Sequence, residues 1–357
     1  MSVAQPVTAR GSRRPGVRVR WRYVGGILLA VALLAFALPS VSGVSLRAVQ
    51  AVVSSLPARA LAALLVLWIG GLLLHTLTLT AALPRLTHRR ALTLSLTGSA
   101  VANVLPLGGA AGVALNYRMV RTWGFTRQQF ATYTVVTNVW DVLAKLVLVV
   151  VALPLLALTS SVVTGQWFHA VLTLAAVVAL VLGVAVAVLA SPVAAGRLGR
   201  LLDVALARLG RDTDLETALV ELQQGCSRVV RASWLRLSLG VGLYAASLGL
   251  LLGACLWLTG AGVSPVVVLV GLAVERMLTL AGLTPGGAGI VELGLTGVLL
   301  VLGGDPAGVV AGVLLYRAIT FGLEIPVGGA GVAAWLWARR RAGEPVEDLE
   351  AELQEAA

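Results

Sequence analysis

Long apolar runs, rather than alternating or amphipathic patterns, dominate the chain. A helix needs about 20 residues to cross the roughly 30 Å hydrocarbon core of a bilayer. Because that core offers the backbone no hydrogen-bond partner, each run of this length is predicted to be a helix. Six such runs occur, at 22–39, 59–82, 128–152, 168–190, 236–259 and 307–337.

Two further apolar regions are interrupted by proline and paired glycines. Region 91–122 contains "NVLPLGGAAG" and region 265–303 contains "GLTPGGAGIVE". Proline removes a backbone donor and glycine loosens the backbone, so both phrases should break a helix. The helical half 92–105 would then be only about 21 Å long at 1.5 Å per residue. We predict two re-entrant hairpins that enter the membrane and return; the alternative is that each region makes two thin full spans.

Composition agrees with a membrane protein. Of the 357 residues 58% are hydrophobic and 12% are charged, and the mean hydropathy is +0.93; a soluble domain has about 25% charged residues. Cys226 lies in a polar loop and Cys255 in an apolar run, and the three histidines are scattered. No disulfide, metal site or cofactor is therefore expected. The fold class predicted is an all-α polytopic membrane protein.

The distribution of positive charge predicts the orientation of the spans. The net charge is +11, but the basic residues flank the apolar runs, which is typical of cytoplasmic loops. With both termini cytoplasmic, only Arg47 and Arg59 lie outside, and Lys145, Arg276 and Arg317 lie within membrane segments. No basic module with interleaved aromatics is present, so nucleic acid is not an expected partner. We expect a multi-pass protein of the plasma membrane.

This layout divides the chain into three parts. Residues 1–21 are a basic cytoplasmic tail, 22–341 the membrane domain, and 342–357 an acidic tail that we expect to be disordered. Within the membrane domain, the loop 191–235 contains a sequence predicted to form an amphipathic helix along the cytoplasmic face.

The two interrupted phrases belong to a repeat. Lys145 follows Gly109 by 36 residues, and Glu324 follows Gly287 by 37. Halves at about 59–152 and 236–337 each contain a span, a broken hairpin and a span with polar residues. The first hairpin starts from the cytoplasm and the second from outside, so the repeat has inverted topology. Transporters of this architecture bind substrate near the membrane midplane, at discontinuous helices.

Polar residues inside the predicted membrane segments are candidates for the site, because each costs about 2.5–3.5 kcal/mol at the centre of a span. Asn138, Asp141 and Lys145 share one helix face. Asp141 and Lys145 are also spaced for an ion pair, which is either structural or functional. The candidates chosen on this ground are Asn138, Asp141, Lys145, Glu275, Arg276, Glu292, Arg317 and Glu324.

Three motifs, "SLTGSAVANVLPLGGAAGVA", "LTPGGAGIVELGL" and "LLYRAITFGLEIP", resemble the lysylphosphatidylglycerol synthase transmembrane-region family. The resemblance covers about 60–337. The family includes flippase-like proteins and the membrane part of an archaeal dolichol-linked glycosyltransferase. The residues that the resemblance adds or repeats as site residues are Asn103, Pro106, Gly108, Gly109, Pro285, Gly286, Gly287, Gly289, Glu292, Tyr316 and Arg317.

The resemblance implies translocation of a lipid with a charged headgroup, either a phospholipid or a polyprenyl-phosphate-linked lipid. The sequence ends soon after its last span and holds no counterpart of the synthases' soluble aminoacyl-transferase domain, so lysyl transfer is not expected. The alternatives are a membrane-embedded transferase acting on a lipid-linked sugar or headgroup, and a small-solute transporter. No P-loop or nucleophile elbow is present. We expect Arg317 and the two glycine breaks to form a midplane phosphate site, with Glu292 as its gate.

Overall fold

The computed structural model describes Leu28 and residues 32–105, 108–159, 165–207, 215–280 and 284–341. The tails 1–21 and 342–357 lie outside these ranges, as do Pro106 and Leu107. Within the described ranges all regular structure is helical, which confirms the predicted fold class. The first half contains α1 (Leu33–Ser42), α2 (Leu46–Ser54), α3 (Ala58–Ala82), α4 (His88–Val104), α5 (Gly109–Thr122) and α6 (Arg127–Thr159). Then come α7 (Gln166–Ala190), α8 (Pro192–Ala207), α9 (Leu215–Leu258), α10 (Pro265–Leu278), α11 (Ile290–Val301), α12 (Pro306–Arg317) and α13 (Glu324–Arg341).

Five described helical segments are long and apolar enough to cross a membrane. They are Ala58–Ala82, Arg127–Thr159, Phe168–Val188, Cys226–Leu258 and Pro306–Arg341. The last contains α12 and α13, joined by the π-helical segment Ala318–Gly322. The predicted run 22–39 is described only in part, and its end belongs to α1. The axes of α1 and α2 are bent by 89° relative to each other, and the two helices together make a sixth candidate span.

The polar loop 191–235 is described as two helical stretches. Helix α8 ends at Ala207, and residues 215–235 are the first turns of α9, a helix of 44 residues that continues into the span. The middle of the predicted amphipathic helix, residues 208–214, lies outside the described residues. Arg200 on α8 and Glu216 on α9 form a salt bridge of 2.6 Å between the two helices.

Both interrupted regions form hairpins of short helices. In the first, α4 has 17 residues and α5 has 14; in the second, α10 has 14 and α11 has 12. At 1.5 Å per residue these helices measure roughly 18–26 Å, which is shorter than the hydrocarbon core. Their lengths support re-entrant hairpins over pairs of full spans.

The packing of the helices relates the two halves. Helix α3 packs on α9, its counterpart in the other half. The first hairpin helix α4 packs on the last span α13, and the equivalent pair in the other half, α10 and α6, also packs together. A two-fold axis that exchanges the halves produces this pairing, which supports the predicted inverted repeat. It also brings both breaks to the centre of the molecule.

Candidate functional site

The two helix breaks meet at one polar cavity. The 3₁₀ turn Pro285–Gly287 of the second break packs on α4, next to Asn103 of the first break. The cavity has a volume of about 480 Å³. Its lining comes from both hairpins and from α3, α9 and the α12–α13 segment: Trp68, Ser99, Ala102, Asn103, Leu105, Gly108, Gly109, Tyr244, Leu248, Arg276, Thr279, Thr284, Gly286, Gly287, Arg317, Thr320, Phe321 and Glu324.

Glycine is required in the second break by its backbone. Gly286, Gly287 and Gly289 have φ of +56°, +74° and +85°, a region that residues with a Cβ rarely adopt. A Cβ on Gly286 would also lie 2.1 Å from Cε2 of Phe321. The "PGG" phrase therefore specifies a tight turn that only glycine allows at these positions.

A buried ion pair holds the second break in place. Arg317 Nε donates to Glu292 Oε1 at 2.7 Å, and Arg317 Nη2 donates to the carbonyl of Gly286 at 3.1 Å. The other carboxylate oxygen of Glu292 accepts from the backbone N–H of Gly289 at 2.6 Å. We call these contacts the Arg317–Glu292 clamp. It ties the start of α11 and the carbonyl of the 3₁₀ turn to α12, and both side chains are more than nine-tenths buried.

The clamp gives Arg317 different partners from the phosphate expected from the sequence. Besides the two hydrogen bonds, its guanidinium lies 4.8 Å from the centre of the Phe321 ring, and Nη1 lies 3.9 Å from Glu275. Glu292 is likewise committed to the turn and to the arginine. Because buried arginine and carboxylate groups neutralise each other here, the pair acts on the shape of the break.

The first break has a simpler construction. Helix α5 begins at Gly109 after the N-cap Gly108, whose φ is −62°, and among the described residues no side chain caps the helix. A Cβ on Gly108 would lie 2.5 Å from the carbonyl oxygen of Leu105, whereas a Cβ on Gly109 would meet nothing within 4 Å. The start of α5 lines the polar cavity. Pro106 of the same motif lies outside the described residues.

Glu324 connects the first break to the last span. Its Oε2 accepts from Asn103 Nδ2 at 3.4 Å, and Ser99, one turn earlier on α4, lies close to this carboxylate. Glu324 is the first residue of α13, directly after the π-helical segment. Segments of π-helix inside α-helices are frequent at functional sites. Within the described part of the chain, Glu324 forms no ion pair.

Arg276 is the second cation in the cavity. Both Nε and Nη2 donate to the carboxylate of Glu275, which is fully buried, whereas the arginine side chain keeps 17% of its surface exposed. The pair is neutral as a whole, but the guanidinium faces the cavity and the carboxylate lies behind it. Tyr316 is completely buried nearby, and its hydroxyl has no hydrogen-bond partner among the described residues.

The three predicted polar site residues of α6 do not line this cavity. Asp141 and Lys145 form a salt bridge of 2.7 Å, and Asn138 Nδ2 donates to the carbonyl of Thr134 on the same helix. Of the two interpretations that the sequence leaves open for Asp141 and Lys145, the geometry favours the structural one.

Several lining residues were missed by sequence reasoning. Ser99 and Phe321 each stand four residues from a predicted site residue, so helical spacing could have identified them. Thr284 directly precedes the predicted "PGG" turn; it is 2% exposed, and its Oγ1 has no hydrogen-bond partner among the described residues. Tyr244 and Trp68 come from spans without a motif, and no signal in the sequence indicates them.

A second, apolar cavity lies on the other side of α9. It has a volume of about 1320 Å³ and is lined by α6, α7, α9 and α10, with Ala245, Gly249 and Leu272 among its walls. Tyr244 and Leu248, the neighbours of Ala245 and Gly249, face the polar cavity instead. One helix thus separates a polar compartment from a hydrocarbon-like one.

The comparisons with known proteins agree with this architecture. The family model described as "Lysylphosphatidylglycerol synthase TM region" matches residues 23–328. The match covers most of the chain, so the chain belongs to this family. No curated protein matches the sequence.

Proposed function

We propose that this member of the lysylphosphatidylglycerol synthase transmembrane-region family moves a lipid with a charged headgroup between the two leaflets of the plasma membrane. The observation that supports the proposal is the polar cavity at the meeting point of the two broken hairpins. Charged side chains and interrupted backbone inside a membrane are expensive unless they face a cavity. Here both features occur together, at the place where inverted-repeat transporters bind substrate.

A lipid needs two environments at once, because its headgroup is polar and its chains are not. The polar cavity provides hydrogen-bonding and charged groups, among them Arg276, Glu324 and Asn103. The apolar cavity beside it, walled by Gly249 and Leu272, suits acyl or polyprenyl chains. In our proposal the headgroup passes between the hairpins while the chains stay on the far side of α9. The orientation we propose keeps both termini in the cytoplasm, as the arginine distribution indicates.

A lipid translocation assay with purified protein tests the proposal. Proteoliposomes with a fluorescent phosphatidylglycerol in both leaflets are treated with an impermeant quencher, and the fraction of accessible lipid is followed in time. The wild-type protein should expose inner-leaflet lipid that empty liposomes protect. Arg276→Gln should abolish this movement, because it removes the cation that faces the polar cavity.

The matched control is Arg200→Gln. It makes the same change in the exposed salt bridge with Glu216 and should leave lipid movement intact. Undiminished movement in Arg276→Gln would contradict the proposed route. Absence of movement by the wild type, with mass spectrometry showing a modified lipid or with uptake of a labelled solute, would favour the transferase or the solute carrier instead.

A further inference from the structure

The polar cavity carries an imbalance of charge. Of the described residues that line it, three are charged: Arg276, Arg317 and Glu324. Arg276 is neutralised by Glu275 and Arg317 by Glu292. Glu324 forms no salt bridge among the described residues; Asn103 donates to it, and the charges of Arg276 and Arg317 act on it from a greater distance. With all five groups ionised, the site carries a surplus negative charge.

The same cavity also offers donors for an anion. The first turn of α5 presents backbone N–H groups that no described side chain caps. The start of a helix favours negative charge through these groups and the helix dipole. Independently, Thr284 lines the cavity and is 2% exposed, and its Oγ1 has no hydrogen-bond partner among the described residues. A buried hydroxyl without a partner is costly unless a ligand satisfies it. The guanidinium of Arg276 faces the same space.

These donors and the surplus carboxylate have opposite effects on a bound phosphate, because the donors attract it and the carboxylate repels it. A phosphate held by α5, Thr284 and Arg276 would share a confined, poorly solvated space with the ionised carboxylate of Glu324. Like charges repel strongly in such surroundings. A proton on Glu324 removes the repulsion and leaves Asn103 as its hydrogen-bond partner, with Ser99 close by. Phosphate binding and protonation should therefore favour each other by the same factor, since coupling between two sites is reciprocal.

We propose that the polar cavity binds one phosphate group together with one proton, the phosphate at the start of α5 and the proton on Glu324. This inference rests on the proposed function, and it names a chemical class for the headgroup, a phosphate ester, and a driving ion. One proton from the solution joins a carboxylate oxygen of Glu324 and leaves when the lipid departs; no bond of the lipid forms or breaks.

None of the described groups around Glu324 takes up the proton in its place. Helix α4 presents Ser99 and Asn103, α10 presents Arg276, α12 presents Arg317, and α9 presents Tyr244. The arginines stay protonated at all ordinary pH values, and serine and asparagine do not titrate. The start of α5 and the 3₁₀ turn contribute only glycines and Thr284 to the lining. Glu275 and Glu292 are each bound to an arginine.

Calorimetry on the full-length protein in a maltoside detergent tests the inference. Short-chain phosphatidylglycerol is titrated in two buffers that differ in ionisation enthalpy, so the difference in heat gives the protons taken up per lipid. The wild type should take up about one proton in alkaline buffer, and its affinity should fall by about tenfold per pH unit there. A wild type that binds without proton uptake, or does not bind, would overturn the inference whatever the variants do.

Substitutions assign the two parts of the site. Glu324→Gln imitates the protonated acid, so it should bind phosphatidylglycerol with an affinity independent of pH and without proton uptake. Thr284→Val should weaken binding several-fold and leave the proton uptake unchanged. Glu216→Gln, the same change in an exposed pair, should behave as wild type. Proton uptake that persists in Glu324→Gln, or loss of binding in folded Glu324→Gln, would refute the assignment.

Two further measurements separate this inference from the proposed function. Inorganic phosphate is titrated in the same way; binding as tight as that of the lipid would support the phosphate-and-proton site but count against a lipid as its ligand. Binding of phosphatidylglycerol with proton uptake, but without movement in proteoliposomes, would support the site and contradict lipid translocation. Movement of lipid without proton uptake on binding would support lipid translocation and contradict the phosphate-and-proton site.

Discussion

The first and second helix breaks face each other across the polar cavity but are held by different means. In the second break, three glycines at positive φ form a turn that the Arg317–Glu292 clamp fastens to α12. In the first break, α5 starts without a described side-chain cap, and Asn103 makes one long hydrogen bond of 3.4 Å to Glu324. The described contacts therefore fix the second break more firmly, and we expect the first break to be the side on which partners are exchanged. A nearly repeated phrase in the sequence thus serves two mechanical roles.

The largest effect is expected where the clamp is opened. Arg317→Gln leaves Glu292 and Glu275 buried without this cation, which should lower stability by about 3–5 kcal/mol. The loss should appear as a lower midpoint of thermal unfolding in detergent. Replacing Arg317 and Glu292 together, by leucine and glutamine, should be milder than Arg317→Gln alone. A folded, fully stable Arg317→Gln would show that the clamp does not hold the second break.

Alanine at one glycine of each break compares the two breaks directly. Gly286→Ala places a Cβ at positive φ and in collision with Phe321, so it should destabilise by about 1–3 kcal/mol. Gly109→Ala meets nothing within 4 Å in a helical first turn and should be neutral or stabilising by about 0.4–1 kcal/mol. Thermal unfolding of both variants measures the contrast. Equal losses would remove the distinction between a fixed and an open break.

The ion pair of the first half should respond less than the clamp. Lys145 has 10% of its side chain exposed, but Asp141 has 50%, so the carboxylate is far less desolvated than Glu292. Asp141→Asn should cost about 1 kcal/mol, near the upper end for exposed pairs. It should also leave lipid movement unchanged, since the pair lies outside the polar cavity. An Asp141→Asn variant that folds but no longer moves lipid would show that this ion pair takes part in transport.

A similarly small effect on stability is expected at the contact between the first break and the last span. Asn103→Ala removes a hydrogen bond of 3.4 Å to a carboxylate, which should cost about 0.5–1.5 kcal/mol. Its effect on transport should be larger than its effect on the unfolding midpoint, because Glu324 loses a neutral hydrogen-bond partner. The effect of Asn103→Ala on lipid movement in proteoliposomes, compared with its effect on the midpoint of thermal unfolding, shows whether the first break matters more for transport than for stability.

The sequence predicted the frame of the molecule better than the partners inside it. The spans, both broken hairpins and the three charged residues of the cavity follow from hydropathy, proline and glycine, because the bilayer allows few alternatives for such segments. The partner of Arg317 could not be predicted. Glu292 lies 25 residues away in the sequence, and its contact with Arg317 depends on how α11 and α12 fold back on each other. Tyr244 and Thr284 were also missed, because a side chain in a continuous span or beside a turn carries no pattern of its own.

The exchange of partners between the halves also has a consequence for biosynthesis. Helix α4 packs on α13, the last of the described helices to be synthesised, and a Cβ on Gly328 of α13 would lie 2.1 Å from the carbonyl oxygen of Leu96. The first hairpin therefore has to wait in the nascent chain, without its permanent neighbour, until more than 200 further residues have been made. Insertion into the bilayer and completion of the fold are separate events in this protein. Truncated chains that lack α13 should be integrated into the membrane yet remain open to proteases at the first hairpin.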